Sequence, residues 1–292
     1  METEHQSPAG KKFLTGLIGS PIAASAAPAM HDLAAEALGV RCHYQLIEVA
    51  GADQAGLRAL LDGVRRLGFA GVNVTFPYKE AVLPLLDELS PRAREIGAIN
   101  TIVVRDGRLV GYNTDTSGFE RAIGDFVKTS GNRAVALIGA GGVGKAIAFA
   151  LANLGVAELR IIDTERAKAA QLVRQLEGRQ AARVFDRIED AVDGVAGVIN
   201  GTPVGMLPDR GMPVPETLLH GGMWVADAVY TPLWTPFLVA AKAKGAAVMS
   251  GRELAIHQAA DAFELFTGLK PSITAMGNAF DGVMARRYGR AS

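Results

Sequence analysis

Two stretches of the chain carry side chains able to do chemistry at an alcohol carbon. In Gly71-Val72-Asn73-Val74-Thr75-Phe76-Pro77-Tyr78-Lys79, a lysine follows an apolar strand and a proline-bearing turn. In Gly111-Tyr112-Asn113-Thr114-Asp115, an aspartate sits in a polar loop after another strand. Lys79 is placed at the start of a helix, whose positive end favours the neutral, proton-accepting form of a lysine. Asp115 can bond the same substrate hydroxyl and hold the lysine's charge. With a nicotinamide cofactor, such a pair suffices to move a hydride and a proton. Taken alone, each residue reads first as a surface lysine or a turn aspartate. Positions 79 and 115 are 36 apart, and spacing does not show that they meet.

A cofactor of that kind has a place in the sequence. Gly139-Ala140-Gly141-Gly142-Val143-Gly144 lies between an apolar strand, Val135-Ala136-Leu137-Ile138, and a helix from Lys145 onward. Glycines there allow a tight turn and a close approach of backbone to a pyrophosphate, and the helix N-terminus presents free N–H groups to it. The glycine spacing alone is weak; the strand–loop–helix context favours a cofactor over a tight turn with no ligand. Asp163 ends the next strand, 24 positions after Gly139. A carboxylate there accepts hydrogen bonds from both ribose hydroxyls of NAD and repels the extra phosphate of NADP. Asp163 or Thr164 can also cap the helix that follows. Arg166 is close but sits a turn into that helix, so NAD is expected in preference to NADP. Asn200-Gly201-Thr202-Pro203 follows a buried strand, at a sheet edge where ligands bind; Thr202 and Pro203 are read as cofactor contacts rather than a plain Asn-Gly turn. Gly251, ahead of the last helices, is placed with them. His31 and His257 lack metal-ligand partners at useful spacing, and no metal site is expected.

Two runs of alternating elements must position these residues. Strands are expected at 13–18, 43–49 and 71–74, helices at 28–38, 54–67 and 79–86, and a strand pair at 98–105 and 108–112 around Asp106-Gly107. A linking helix over 116–127 leads into a second series. Its strands are expected at 134–138, 158–162, 195–199, 223–228 and 246–249, its helices at 144–154, 165–176 and 237–244. Two helices close the chain, 252–266 and 272–287. The fold class is therefore α/β: an N-terminal α/β domain with a mostly parallel sheet (1–116), then a doubly wound nucleotide-binding domain (117–251), then helices over 252–292.

Composition bounds the rest. A chain of 292 residues exceeds one core of ordinary size, and two domains are expected. Thirty lysines and arginines balance thirty acidic residues, which gives no electrostatic case for nucleic acid or an acidic membrane. The lone Cys42 excludes an intrachain disulfide framework and suits a reducing cytosol, so a cytoplasmic location is expected. The first dozen residues are polar, do not read as a signal peptide, and are expected to be mobile. No apolar run reaches the roughly 18 residues needed to span a bilayer.

Over about residues 14 to 280 the chain resembles the shikimate/quinate dehydrogenase family. The matching runs are Gly71 to Lys79, Ile96-Gly97-Ala98-Ile99-Asn100-Thr101, Asn113 to Phe119, Gly139 to Gly144, Asn200 to Met206, Val229-Tyr230-Thr231-Pro232 and His257 to Phe263. Together and in this order they are specific. The resemblance implies that Lys79 and Asp115 are the catalytic pair, with substrate in a cleft between the domains. It implies that Ser25, Thr75, Asn100 and Gln258 contact substrate hydroxyls and carboxylate, with Tyr230 nearby. It implies that the last helices pack on the first domain. Without it, Gln258 is an ordinary helix residue and Asn100 a strand-end turn former.

One position departs from the pattern. Relatives carry two hydroxyl residues, spaced by one, before a Pro-x-x-His, and these bind the substrate carboxylate. Here Ser25 supplies the first, and Ala27 stands where the second should be, ahead of Pro28 and His31. Losing one hydrogen bond to a carboxylate costs about 1.5–3 kcal/mol, or roughly one to two orders of magnitude in affinity. A bridging water can recover part of this. Ala27 therefore points either to quinate, whose C1 bears a hydroxyl as well as the carboxylate, or to another cyclic polyol acid such as an amino analogue. The reading is an NAD-preferring quinate/shikimate dehydrogenase, monomer or homodimer, acting on a small cyclic hydroxy acid. The alternatives are a dehydrogenase of a related acid and a non-catalytic ligand sensor.

Overall fold

Short apolar runs separated by glycine and proline turns fold into two six-stranded sheets in the computed structural model, which describes residues 10–288. The expectation of a mobile N-terminus falls outside the described residues up to position 9, and Lys12 already opens a strand. The chain divides into two compact units. One holds the described residues up to Ala93, Ile99–Thr114, and the described residues from Ala259 onward; the other holds Arg94–Ala98 and Asp115–Gln258.

The first unit begins β1 (Lys12–Gly19), α1 (Ala27–Ala37), β2 (Arg41–Glu48), α2 (Gln54–Arg66), β3 (Gly71–Val74). β2 and β3 flank β1, both parallel to it. Helix α2 shows why such segments fold: Asp53 caps it by accepting from Gly56 N at 2.8 Å, and Leu57, Leu61 and Val64 form the buried stripe. After β3 come β4 (Glu88–Leu89), α3 (Pro91–Ile96), β5 (Thr101–Arg105) and β6 (Arg108–Tyr112). The β5–β6 hairpin turns at Asp106 (φ 50°) and Gly107 (φ 73°), the two left-handed residues that a type I′ turn requires. Strand order is β2-β1-β3-β5-β6-β4, with β5 antiparallel to its two neighbours and the other pairs parallel.

No α-helix spans 79–86. The segment turns and then makes a single 3-10 turn at Leu83–Leu85. Pro84 is the reason: inside an α-helix over 79–86 it would remove a hydrogen bond and clash with the preceding turn, at about 3 kcal/mol. The dipole argument for Lys79 therefore has no helix to rest on. The sequence pattern also leaves out β4 and α3, although Ser90 followed by Pro91 is a cap-and-first-turn signal, and Ser90 Oγ does accept from Ala93 N at 3.2 Å.

The next helix, α4 (Thr114–Thr129), leads into the second sheet: β7 (Val135–Ile138), α5 (Gly142–Asn153), β8 (Leu159–Ile162), α6 (Arg166–Gln175), β9 (Ala182–Val184), α7 (Ile188–Val192), β10 (Gly197–Asn200), β11 (Trp224–Asp227), α8 (Pro236–Ala243) and β12 (Ala247–Met249). Order is β12-β11-β10-β7-β8-β9, all parallel. Read from the other edge this is the 3-2-1-4-5-6 order of a doubly wound dinucleotide fold. Alternation along β7 feeds two cores. Val135 and Leu137 pack with Phe119, Ile147 and Leu172 on one face; Ala136 and Ile138 pack with Val192, Phe237 and Leu238 on the other. Burial on both faces explains why these strands read as unbroken apolar runs.

Two helices end the described chain, α9 (Arg252–Thr267) and α10 (Ile273–Tyr288). Within the first unit, Ala262 and Phe266 of α9 cover Val103 of β5, and α10 packs on α1.

Candidate active site

In the first unit, the candidate residues gather at one edge of the sheet. Ser25 lies in the loop after β1, and Thr75 and Lys79 lie in the loop after β3. β5 runs antiparallel to β3, so Asn100, just before β5, returns to the same edge. Backbone bonds tie these loops together: Ser20 N donates to Phe76 O at 3.0 Å, Thr75 N to Ile18 O at 2.9 Å, and Ile99 N to Lys79 O at 3.0 Å. Tyr78 pins the Lys79 loop, because its hydroxyl donates to Val49 O at 2.8 Å and accepts from Ala52 N at 3.0 Å. Ser25 Oγ accepts from Ala27 N at 3.2 Å, which leaves its hydroxyl proton to donate to a carboxylate.

Asn100 is buried in a polar network that sequence reasoning did not find. Its Oδ1 accepts from Thr114 N at 2.7 Å, and its Nδ2 donates to Thr114 Oγ1 at 2.8 Å. Asn73 Nδ2 donates to Asn100 O at 3.1 Å and to Thr101 Oγ1 at 3.0 Å, while Tyr44 Oη donates to Asn73 Oδ1 at 2.8 Å. This chain of bonds fixes Thr114, the residue before Asp115. Asp115 is itself buried, 6% exposed, at the start of α4. The available signal was Asn73, a polar residue inside the otherwise apolar strand β3.

Beside this network His31 is fully buried among Tyr44, Phe263 and Phe266, at ring-centroid distances of 4.4, 5.7 and 6.1 Å. Neither ring nitrogen has a hydrogen-bond partner among the described residues. Burial pushes its imidazole down to about 3 from the usual 6.5.

In the second unit, every candidate cofactor residue falls at the carboxyl edge of the parallel strands. The glycine loop follows β7, Asp163 follows β8, Thr202 and Pro203 follow β10, and Gly251 follows β12; Tyr230, a candidate substrate contact, follows β11 at the same edge. The glycines are needed where they stand. Gly139 has φ +100°, and a Cβ on it would lie 2.6 Å from Thr202 Cγ2. A Cβ on Gly144 would run into Gly139 O, so that glycine permits close helix–strand packing. Gly141 has open space where its Cβ would be, which leaves the backbone approachable. Helix α5 starts at Gly142, earlier than the expected Gly144, so Gly142, Val143 and Gly144 form its first turn inside the loop and Gly141 caps it without a side-chain bond. Ala140 is fully buried at the turn. This cradle fits a dinucleotide pyrophosphate.

Asp163 is drawn into the loop. Its Oδ2 accepts from Ala140 N at 2.7 Å and its Oδ1 from Glu165 N at 2.8 Å. It thus joins β8, the glycine loop and the start of α6, and it caps backbone as well as presenting a carboxylate. Gly251 has no room for a side chain, because a Cβ would lie 2.7 Å from Val229 O and closer still to Ala228 O. Gln258 Nε2 donates to Ala255 O at 2.9 Å, and Gly118 of α4 lets the α9 backbone at Gln258 approach to where a Cβ would touch it at 2.8 Å.

Two more residues shape this edge: Asn200, expected only as the start of its loop, and Asp227, which the sequence did not single out. Asn200 and Asp227 end β10 and β11 and are fully buried. Asn200 Nδ2 donates to Asp227 Oδ1 at 2.9 Å, and Asn200 Oδ1 accepts from Thr202 Oγ1 at 2.6 Å and Thr202 N at 3.0 Å. Asp227 also accepts from Val229 N at 2.9 Å and Thr235 Oγ1 at 2.7 Å. The pair holds both the Thr202 and the Tyr230 loop. Burial pushes the Asp227 carboxyl up to about 6, against the opposing pull of its three donors. A polar residue closing an apolar strand is the sequence signal for both.

Comparison with known proteins agrees with this architecture. Residues 17–102 match the shikimate dehydrogenase substrate binding domain. Residues 112–182, spanning the glycine loop, match the ThiF family, a local likeness over the β7–α6 unit. The chain is 43% identical over 276 residues to the quinate/shikimate dehydrogenase (NAD(+)) of Corynebacterium glutamicum strain R, covering 92% of this chain and 98% of that protein. It is 41% identical over 266 residues to the shikimate dehydrogenase (NADP(+)) of Streptomyces avermitilis, covering 89% and 91%. The solved structure of quinate dehydrogenase from C. glutamicum in complex with NAD superposes with a TM-score of 0.84 at 41% identity, covering 93% of this chain and 99% of that one. The chain belongs to the shikimate/quinate dehydrogenase family, oxidoreductases that act on a CH–OH donor.

Proposed function

We propose that the chain oxidises the C3 ring hydroxyl of shikimate or quinate, reversibly, with NAD preferred over NADP. The observation that carries this reading is the sheet edge of the first unit, where Ser25, Thr75, Lys79 and Asn100 converge and where Thr114 is fixed one residue before Asp115. Ser25 donates to the substrate carboxylate, and Thr75, Asn100, Tyr230 and Gln258 contact its polar groups. Lys79 Nζ takes the hydroxyl proton, and in reverse gives it to the ketone oxygen. Asp115 accepts a hydrogen bond from the reacting hydroxyl and balances the charge Lys79 gains. When bound, the nicotinamide cofactor accepts the two electrons and the carbon-bound hydrogen. Gly139 to Gly144, Thr202, Pro203 and Gly251 hold it, with Asp163 toward the ribose. The NAD preference is supported by Asp163 and by the NAD(+) relative, set against NADP(+) relatives of similar identity.

Steady-state oxidation of quinate and of shikimate, each with NAD and with NADP, tests the reading. Turnover with NAD and either acid is expected. No turnover with either acid, from folded protein that binds NAD, would rule out the substrate. Lys79→Ala should lower kcat by orders of magnitude with little change in KM, and near-normal turnover would reject Lys79 as the acid–base.

Ala27 favours one further reading, a related cyclic polyol carboxylate. Ala27 is buried at the mouth of α1, and its N–H is already bonded to Ser25, so the position offers no hydroxyl. A substrate panel of such acids separates this from shikimate and quinate.

A further inference from the structure

The adenosine corner of the cofactor site holds an ion pair that the proposed function leaves unused. Arg166 does not sit a turn into α6, as the sequence suggests, but opens it, three residues after Asp163, and is the arginine that could reach a phosphate on the ribose 2′-oxygen. It is turned to another partner. Its Nε lies 2.6 Å from Asp186 Oδ1, with both side chains 66% exposed. Asp186 follows β9. Parallel pairing of Ile161 with Val184, and the Phe185 N to Ile161 O bond at 2.9 Å, bring it alongside the end of β8, where Asp163 stands. Lys168, the other nearby cation, is paired with Glu165. Three carboxylates (Asp163, Glu165, Asp186) thus face two cations at this corner, and both cations are engaged.

We propose that Asp186 is a positioning residue that holds Arg166 away from the ribose 2′-position and thereby contributes to the preference for NAD over NADP. The inference rests on the NAD reading above and names a second determinant beside Asp163. Asp163 repels a 2′-phosphate directly. Asp186 acts through Arg166, by occupying the group that would otherwise bind that phosphate. Exposed ion pairs are weak, so a single substitution should release the arginine without disturbing the fold.

The test is calorimetric binding of NAD, NADP and 2′,5′-ADP to the wild type, Asp186→Ala, Arg166→Ala and the double variant, with melting temperatures as a folding control. Asp186→Ala should tighten NADP and 2′,5′-ADP about fivefold, the upper end for loss of one exposed ion pair, while NAD changes less than about twofold. The double variant should lose that gain, and Arg166→Ala alone should leave NADP affinity unchanged. An unchanged NADP-to-NAD ratio in Asp186→Ala overturns the proposal, as does a gain that survives in the double variant. A wild type that binds NADP more tightly than NAD overturns the cofactor reading instead, whatever the variants do. A wild type that prefers NAD with an unmoved ratio in Asp186→Ala overturns the role of Asp186 alone.

Discussion

The Asn100 side chain bonds Thr101 and Thr114, so one amide both ties the polar core of the first sheet and sets the residue before Asp115. Its place was legible from the family motif, but its partners were not, because Tyr44, Asn73 and Thr114 are distant in sequence. Ala27 is the residue whose substitution speaks most directly to substrate choice. Ala27→Ser restores the second hydroxyl, and KM for shikimate should fall about tenfold or more if a carboxylate binds there; an unchanged KM would place the carboxylate elsewhere. His31 gives a pH signature. Its folded value of about 3 lies below the ordinary 6.5, so the unfolded chain binds the proton first. The neutral imidazole's contribution is present above about pH 6.5 and is lost as pH falls toward 3, on the order of a few kcal/mol by pH 4. Melting temperatures from pH 7 to 4 should therefore fall less steeply for His31→Leu than for the wild type, and parallel curves would refute this. Asp227 works in the opposite sense: its folded value of about 6 exceeds the ordinary 3.8, so stability is lost as pH rises from about 3.8 to 6.

The strand–loop–helix unit at 135–153 is the element best determined by its own residues. Gly139 needs its left-handed φ, and Gly144 needs to lack a side chain against Gly139 O. Gly144→Ala should force the α5 turn away from β7, costing about 1–3 kcal/mol, and should weaken NAD binding by more than tenfold. Denaturant unfolding and NAD titration of the variant check this, and normal NAD affinity would mean the loop tolerates the shift. The segment 79–86 is the contrasting case. Its apolar spacing suggests a helix, but Pro84 stops one, and Lys79 is held instead by turn bonds and by Tyr78 reaching Val49 and Ala52. Periodicity weighs side chains and misses the backbone donor that a proline lacks. The short elements β4, β9 and α7 were missed for another reason: they are too brief to show a period.

For the whole molecule, a ligand that binds only the folded chain must stabilise it. At concentrations about 100-fold above its Kd, NAD should add about 2.7 kcal/mol, and NADP at the same concentration should raise the melting temperature less. Equal shifts would argue against the cofactor preference. Among the described residues no helix is long and apolar enough to cross a membrane. Two alternating β/α series, the glycine loop and the run of motifs were enough to read the α/β class and the family, because alternation, turn chemistry and phosphate-loop glycines are local properties of consecutive residues. Tertiary structure alone decided that β5 returns antiparallel to carry Asn100 to the edge holding Ser25, Thr75 and Lys79, and that Phe266 and Ala262 of α9 cover β5. It alone closed the Asn200–Asp227 pair and drew Arg166 to Asp186. Each of these joins residues far apart in the chain, and such contacts depend on strand order and register, which no local pattern of side chains encodes.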